Sequence, residues 1–321
     1  ALTGLASLGI TSIGAMIGYG EAPSEKLAAE VDLWRRAAHR LPIRVHGIVI
    51  ADTPEGLSLA AANLNAAGGR LAWLGVKRFA DGSLGGHTAA MHAPFSDVET
   101  TGTFRLTNTD TELARASLRL GGMVMIHAIG DRAVDGALDV FDILVSEGAH
   151  GYDLRMEHVS VLSPQQVTRF ARLGGIACVQ PAFLASESTW LEDRLGADRM
   201  PWAYPLRSLA SAGVTLAGSS DCPVEPPHPL WGIAAAIDRH GINESERLTG
   251  AQALEMFTGG AASALREPTP LGIGSPADFV VLDVDPLRSS ADSIHDATVL
   301  ATYVGGAPVA VDRTHNAWVD D

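Results

Sequence analysis

Thiols are scarce in this chain: Cys178 and Cys222 are the two cysteines among 321 residues. Two cysteines are too few for a disulfide scaffold, and they make no metal-type spacing. Both a cystine-rich secreted fold and a thiolate metal cluster are argued against, and a reduced, cytoplasmic chain is the plain expectation. Positive charge is also in deficit, with 23 Lys and Arg against 37 Asp and Glu and a net charge of −14. A surface of that sign repels nucleic acid and anionic membranes, so neither is expected as a partner. Only Arg35, Arg36, Arg40 and Arg44 cluster, and they read as a solvated helix face. No apolar run approaches the roughly 18 residues that a bilayer span requires. The opening residues, Ala-Leu-Thr-Gly-Leu-Ala-Ser-Leu-Gly-Ile, lack the cationic start of a secretory signal. They also lack an initiator Met and read as the middle of a helix leading into a strand, as in a chain that begins inside a fold. Aromatic residues make up only 6% of the chain while Gly and Ala are abundant, a balance suited to helices packed closely on a sheet.

What the chain does have is alternation. Short apolar runs at Gly9–Met16, Ile43–Ile50, Gly75–Ala80, Met123–Ala128, Leu154–Val159, Gly175–Gln180 and Thr215–Ser219 are nearly continuous, as in parallel strands buried on both faces. Between them Glu25–Arg40, Asp110–Gly121, Ala133–Glu147, Pro164–Leu173 and Tyr204–Ala212 carry helical periodicity. Ser163-Pro164 supplies a cap and a first-turn proline. Gly121, Gly174 and Gly213 stand where left-handed helix ends are wanted. Seven βα units result, one short of a closed eight-fold barrel, and right-handed crossovers make the sheet parallel. Two more helical stretches, His228–Arg239 and Thr249–Ala264, follow. Then strands at Ala277–Asp283, Thr298–Val304 and Ala307–Val311, with Gly305-Gly306 as a turn, predict a small antiparallel appendage.

Four chemistry-bearing residues sit at the ends of these runs. His127 follows Val124-Met125-Ile126, His158 follows Arg155-Met156-Glu157, Asp221 follows Gly218-Ser219-Ser220, and Lys77 ends Leu74-Gly75-Val76. In a (β/α) barrel the C-terminal strand ends meet in one place, so residues far apart in sequence share a site. Two imidazoles and a carboxylate are the usual ligand mix for Zn²⁺ and its neighbours. Asp221 could also relay a proton from nucleophile to leaving group, or simply form a turn with Ser219 and Ser220. An ammonium in a barrel mouth repels a metal. Lys77 is therefore either salt-bridged, to Asp81 for example, or turned into a carbamate by carbon dioxide, which makes the cation a bidentate anion; a Schiff-base amine is a remote third role. The loop Asp81-Gly82-Ser83-Leu84-Gly85-Gly86-His87-Thr88 lets backbone approach a ligand closely. It lacks the Lys-Ser/Thr ending of a phosphate cradle. His87 and His92 read as loop histidines rather than ligands. Gln180-Pro181 either lines the pocket or merely ends a strand, and the segment Ala182–Ala203, with Trp190 and Trp202, is either a lid or rim packing.

The runs Lys-Arg-Phe-Ala-Asp-Gly-Ser-Leu-Gly-Gly, Ile-His-Ala-Ile-Gly-Asp-Arg-Ala-Val-Asp, Arg-Met-Glu-His-Val, Gly-Ser-Ser-Asp-Cys-Pro-Val and Pro-Ala-Asp-Phe-Val-Val-Leu-Asp together resemble the amidohydrolase superfamily. Within it, the third amidohydrolase family, which includes N-substituted formamide deformylases, is the nearest branch. The resemblance implies an α/β fold, a (β/α)₈ TIM-type barrel over residues 1–270 that lacks its first strand. A partial β-sandwich would follow over 271–321. It implies one or two divalent metals, usually zinc, held by Lys77, His127, His158 and Asp221, with Asp221 as general acid/base and Lys77 carboxylated when it bridges two ions. Asp81, Gly82 and Gln180 would touch a small-molecule substrate, whose amide or related C–N bond is cleaved by metal-activated water. The family's first strand ends in His-x-His, and no such pair occurs among these 321 residues. The chain as given is therefore expected to be impaired or metal-free, and a non-catalytic barrel piece is the alternative. Exposed strand edges left by a missing strand would then be covered by self-association or by a partner segment.

Overall fold

Short runs of Val, Ile, Leu and Met become strands here because both faces of each run find apolar cover. The computed structural model describes residues 1–18, 24–268 and 271–311. Seven strands form one sheet: β1 Ser12–Ile17, β2 Arg44–Val49, β3 Leu71–Phe79, β4 Met123–Ala128, β5 Leu154–His158, β6 Ile176–Val179 and β7 Thr215–Gly218. They lie in chain order with every neighbouring pair parallel. All seven expected strands are present, β3 beginning four residues earlier than its apolar run suggests. The expected helices are present too, and Gly121, Gly174 and Gly213 have φ of +78°, +66° and +85°, the left-handed geometry that ends a helix. A helix at Pro54–Ala66 lies outside the expected set. Its start carries the same signal as Ser163-Pro164, since the Thr53 hydroxyl accepts a hydrogen bond from the Gly56 amide and proline follows.

The sheet is curled. Ile48, Leu74, Met123, Met125, Ile176, Cys178 and Ala217 come from β2, β3, β4, β6 and β7, yet they form one cluster with Ala264 and Leu265. Only a concave face brings side chains of non-adjacent strands together. The convex face is covered by helices through two larger clusters, one centred on Leu138, Phe141 and Phe170 and the other on Leu57, Leu64 and Trp73. Among the described residues β1 and β7 are the edges of the sheet. The segment following helix Gly259–Ala264 crosses between them at the N-terminal end of the strands. There the Glu267 carboxylate accepts from Ser12 Oγ at 2.8 Å and lies 2.7 Å from His46 Nε2.

A bulge in β3 decides where Lys77 points. Gly47 and Ile48 of β2 face Trp73 and Gly75, so one residue of β3 is extra. Strict alternation would put Leu74, Val76 and Arg78 on one face. Instead Leu74 joins the concave cluster and Val76 the convex one, leaving Lys77 inside. A bulge re-aims the side chains beyond it.

The chain ends in a three-stranded antiparallel sheet, β8 Phe279–Leu282, β9 Val299–Val304 and β10 Ala307–Val311, with β9 central. Gly305 and Gly306 turn the β9–β10 hairpin with φ of +63° and +76°, as a two-residue turn with both residues left-handed requires. The small sheet packs on the N-terminal helix Leu2–Ser7 through Ala6, Ile43 and Val304, and the Thr302 hydroxyl donates to the Ala6 carbonyl at 2.7 Å.

The convex cluster depends on Phe141, fully buried and stacked on Phe170 at 6.5 Å between ring centroids. Phe141→Ala is expected to cost about 3–5 kcal/mol through lost contacts and a residual cavity. Urea unfolding followed by circular dichroism measures this directly, and a shift below ~1 kcal/mol would show that the cluster is not the core of the fold.

Candidate active site

A cavity of about 260 Å³ opens at the C-terminal ends of the strands. Lys77 from β3, His127 from β4, His158 from β5 and Asp221 just beyond β7 line it, together with Asp81 and Gly82 from the loop after β3. Six of the seven residues singled out in the sequence therefore meet in one place. The seventh, Gln180, stands behind His158 and is not part of the lining.

Each imidazole is held by a group that fixes its proton. His127 Nε2 lies 2.7 Å from the Gly82 carbonyl and 3.1 Å from Asp81 Oδ1. Both partners only accept, so Nε2 carries the hydrogen and Nδ1 keeps its lone pair. His158 Nδ1 lies 2.8 Å from Gln180 Oε1. The Gln180 amide nitrogen donates to Ser219 Oγ at 2.8 Å and to the Cys178 carbonyl at 3.3 Å, which settles which end of the amide faces His158. His158 therefore donates from Nδ1 and keeps its lone pair on Nε2. The rings are 4.4 Å apart between centroids and inclined at 65°. Burial above all holds His158 well below the usual imidazole range, so it is a neutral donor at neutral pH.

Asp81 ties the strand ends together. Its carboxylate accepts backbone N–H groups from Ala90 at 2.9 Å, Ile129 at 3.1 Å and Gly130 at 2.8 Å, and it is buried to 1% exposure. The Lys77–Asp81 salt bridge allowed by the sequence does not form. Lys77 instead lies 3.9 Å above the Phe79 ring, 2% exposed. Burial lowers its amine to about 8, against the opposing pull of Glu157 and Asp221. Asp221 adopts a left-handed φ of +54°, as do His158 at +72° and Val159 at +53°. A non-glycine residue holds such a conformation at a cost of about 1–3 kcal/mol, and runs of them cluster at functional sites. Burial also raises the Asp221 carboxyl above its ordinary range.

Sequence reading passed over Glu157 as a functional group. It is buried beside Arg155, with Arg155 Nε donating to Oε1 at 2.5 Å and Nη1 to the Ala264 carbonyl at 2.9 Å. The signal was present: two opposite charges at i and i+2 of a buried strand share one face. His87 and His92 are loop histidines as expected, set against Asp97 and Asp135 at 3.1 and 2.8 Å. Cys178 is buried on β6, while Cys222 is exposed in a turn rather than in a strand. Trp190 and Trp202 pack at the rim with Leu84, Phe183 and Leu191, and Trp190 lies against Gly85.

Among the described residues no three His, Cys, Asp or Glu side chains are drawn close enough to enclose one ion. The donor chemistry nonetheless fits a divalent metal as a partial set. Two imidazoles keep free lone pairs because second groups hold their other nitrogens, the arrangement that orients metal-binding histidines.

Two measurements test this electrostatic picture. The Lys77 amine is charged below pH ~8 and neutral above it, so its ¹³Cε resonance in selectively labelled protein should titrate near 8; a midpoint near the ordinary lysine value would refute the burial argument. Asp81→Ala leaves three buried N–H groups unpaired, at roughly 1–3 kcal/mol each and not additively. A loss of about 3 kcal/mol or more is expected in urea unfolding, with Asp81→Asn losing less.

The family model described as "Amidohydrolase family" matches residues 1–310. The putative amidohydrolase YtcJ of Bacillus subtilis is 34% identical over 244 residues, 72% of this chain and 46% of that protein. The N-substituted formamide deformylase of Arthrobacter pascens is 29% identical over 207 residues, 61% of this chain and 38% of its own length. A solved structure, an uncharacterized metal-dependent hydrolase from Pyrococcus furiosus, superposes with a TM-score of 0.76 at 34% identity, covering 89% of this chain and 59% of that one. The chain thus spans less than half the length of these two curated relatives. It belongs to the amidohydrolase family.

Proposed function

We propose that this chain is the catalytic barrel portion of a metal-dependent hydrolase that cleaves an amide or related C–N bond of a small molecule. Residues 1–270 would form a (β/α)₈ barrel lacking its first strand, and 271–321 part of a β-sandwich, with 19–23, 269–270 and 312–321 lying outside the described residues. The observation that carries this reading is the convergence of Lys77, His127, His158 and Asp221 on one cavity at the C-terminal strand ends, where such barrels do their chemistry.

The residues divide the work by their environments. His127 and His158 would hold the metal through the nitrogens that their hydrogen bonds leave free, Nδ1 and Nε2. Zinc is the ion best suited to two imidazoles and a carboxylate. When bound, such an ion supplies Lewis acidity and makes water acidic at neutral pH. Lys77, lowered to about 8 by burial, is neutral often enough near neutral pH to take up carbon dioxide as a carbamate. In that form it would serve as an anionic ligand. Asp221, whose carboxyl burial holds above its ordinary range, is placed to accept a proton and return it to the departing nitrogen. Asp81 and Gly82 fix His127 and shape the floor against the substrate, and Gln180 keeps His158 in its tautomer.

Among 321 residues there is no His-x-His pair, so the donor set is one-sided and turnover by this chain alone should be weak or absent. A second reading, a non-catalytic barrel piece that binds a partner through its sheet edges, draws on the same observation and on the open edges β1 and β7.

Metal analysis after equilibrium dialysis against zinc separates the two. The hydrolase reading expects up to one equivalent of zinc in the wild type, lost in both His127→Ala and Asp221→Ala. Zinc bound equally by all three proteins, or by none, would refute the metal site and leave the partner-binding reading.

A further inference from the structure

We propose that Tyr204 and Glu187 form a proton-operated catch on the rim helix Phe183–Glu187, closed when the Glu187 carboxyl carries a proton and released when it is ionised. The catch decides whether Phe183 stays against His158. It goes beyond the hydrolase reading above and does not rest on it, because neither Glu187 nor Tyr204 belongs to the cavity lining.

Helix Phe183–Glu187 is little more than a single turn. Phe183 and Leu184 are buried, at 8% and 0% exposure, while Ala185 and Ser186 face solvent. At the near end the Phe183 ring stacks on the His158 imidazole, 6.2 Å between centroids and inclined at 15°. At the far end Glu187 Oε2 accepts a hydrogen bond from the Tyr204 hydroxyl at 2.6 Å. The backbone bonds at the start of the turn are local: Phe183 donates to Gln180 at 3.1 Å, Leu184 to Pro181 at 3.0 Å and Ala185 to Ala182 at 3.1 Å. The turn can therefore pivot as a unit, and the Tyr204 bond ties its end down.

Tyr204 is a fixed post. It is 1% exposed, has a left-handed φ of +47°, and its own amide donates to the Ser160 carbonyl at 2.7 Å. Burial, with the Glu187 charge beside it, holds the hydroxyl well above the usual phenol range, so it remains a donor across the neutral range. Glu187 has no second hydrogen-bond donor among the described residues. A half-buried carboxylate with one donor is poorly compensated; Asp81, with three, is the contrast. Burial raises the Glu187 carboxyl from 4.5 to about 7 against the pull of the Tyr204 bond, and Glu225, on the loop that carries Asp221, adds to the rise.

The other charged groups nearby have nearer partners. The turn Arg239–Gly241 packs on this helix. Arg239, fully buried, donates to the carbonyls of Ile242 at 2.8 Å and Ala203 at 3.4 Å, with Glu246 and Glu244 in its field, and its own charge acts on Tyr204. His240 lies 3.7 Å from Asp238. At the opposite end of the rim Asp97 receives both His87 and Arg194. Swung into water, Glu187 returns to its ordinary 4.5, whereas the closed turn keeps its proton up to about 7. Between those values the closed form holds the extra proton, so rising pH favours release, by at most about tenfold per pH unit, and the effect levels off above about 7. On release the carboxylate enters solvent and carries Phe183 off His158.

The test is hydrogen exchange of the intact 321-residue protein, read by mass spectrometry on peptides covering 182–190 and corrected for the intrinsic pH dependence of exchange. Protection there should fall about tenfold between pH 6 and pH 8, while strand β4 keeps its protection. E187Q, uncharged and of the same shape, should hold the low-pH protection throughout. E225Q, at a half-exposed position, should move the levelling-off to lower pH, and it keeps the test open whatever E187Q does to folding. Protection independent of pH in the wild type, or a levelling-off unmoved in E225Q, would overturn the proposal. So would a fall that survives in E187Q but is lost in H87N, which would place the response on the Asp97 contact at the other end of the rim. The readout requires no metal. Zinc bound by none of the proteins would therefore refute the hydrolase reading and leave the catch standing, while a flat exchange profile would remove the catch and leave that reading untouched.

Discussion

The site depends on one buried carboxylate. Asp81 gathers the amides of Ala90, Ile129 and Gly130 on its two oxygens, with His127 Nε2 beside them. Those amides belong to two different loops, one after β3 and one after β4. A charged acceptor with three N–H donors is stable in the interior because each hydrogen bond to an ion is worth about 1.5–3 kcal/mol, which offsets its desolvation. The consequence is geometric. The loop after β3 folds back over the strand ends, its Gly82 carbonyl meets His127, and the histidine is locked in one tautomer. That single acceptor fixes the floor of the cavity and one imidazole.

Charge balance in the concave face follows a second constraint. Lys77, Arg155 and Glu157 are all nearly inaccessible. Arg155 and Glu157 satisfy each other, and Arg155 finds a further acceptor in Ala264. Lys77 rests on the Phe79 ring and is drawn by Glu157 and Asp221, but burial prevails, so its amine falls to about 8. A buried ion pair contributes little net stability. Here its effect is to set the potential at a neighbouring amine. Cys178, pushed up to about 12 by burial and by Glu157, is a neutral member of the concave cluster and no nucleophile.

Much of this was legible in the sequence, for reasons that can be named. Parallel strands buried on both faces write themselves as mostly continuous apolar runs, and the seven were visible as such even where Lys77, Arg78, Arg155 and Glu157 interrupt β3 and β5. Strand-end residues were visible because polar side chains interrupt such runs abruptly, as His127 does after Met123–Ile126. Helix Pro54–Ala66 was missed because half of its buried positions are alanines, Ala60 and Ala61 beside Leu57 and Leu64, which dilute the periodic contrast. The part Asp81 plays in tying two loops together was illegible for a different reason. Its three partners are backbone amides, and backbone hydrogen bonds leave no residue-type signature.

The cavity is lopsided, and that asymmetry governs how it can hold a metal. Its nitrogen and oxygen donors come from β3, β4, β5 and the turn after β7, while β1 contributes only the apolar Met16. Metal affinity rises with the number of donors that can be satisfied at once and with how rigidly they are presented. His127 and His158 are presented rigidly, each by a hydrogen bond under 3 Å, and Asp221 is fixed by a strained backbone. Donors presented from one wall would suit one ion better than two. The same one-sidedness would weaken metal retention and leave room for water and substrate on the β1 side. Affinity and access are thus opposed in this half of the site, and supplying donors from the β1 side would strengthen the first by restricting the second.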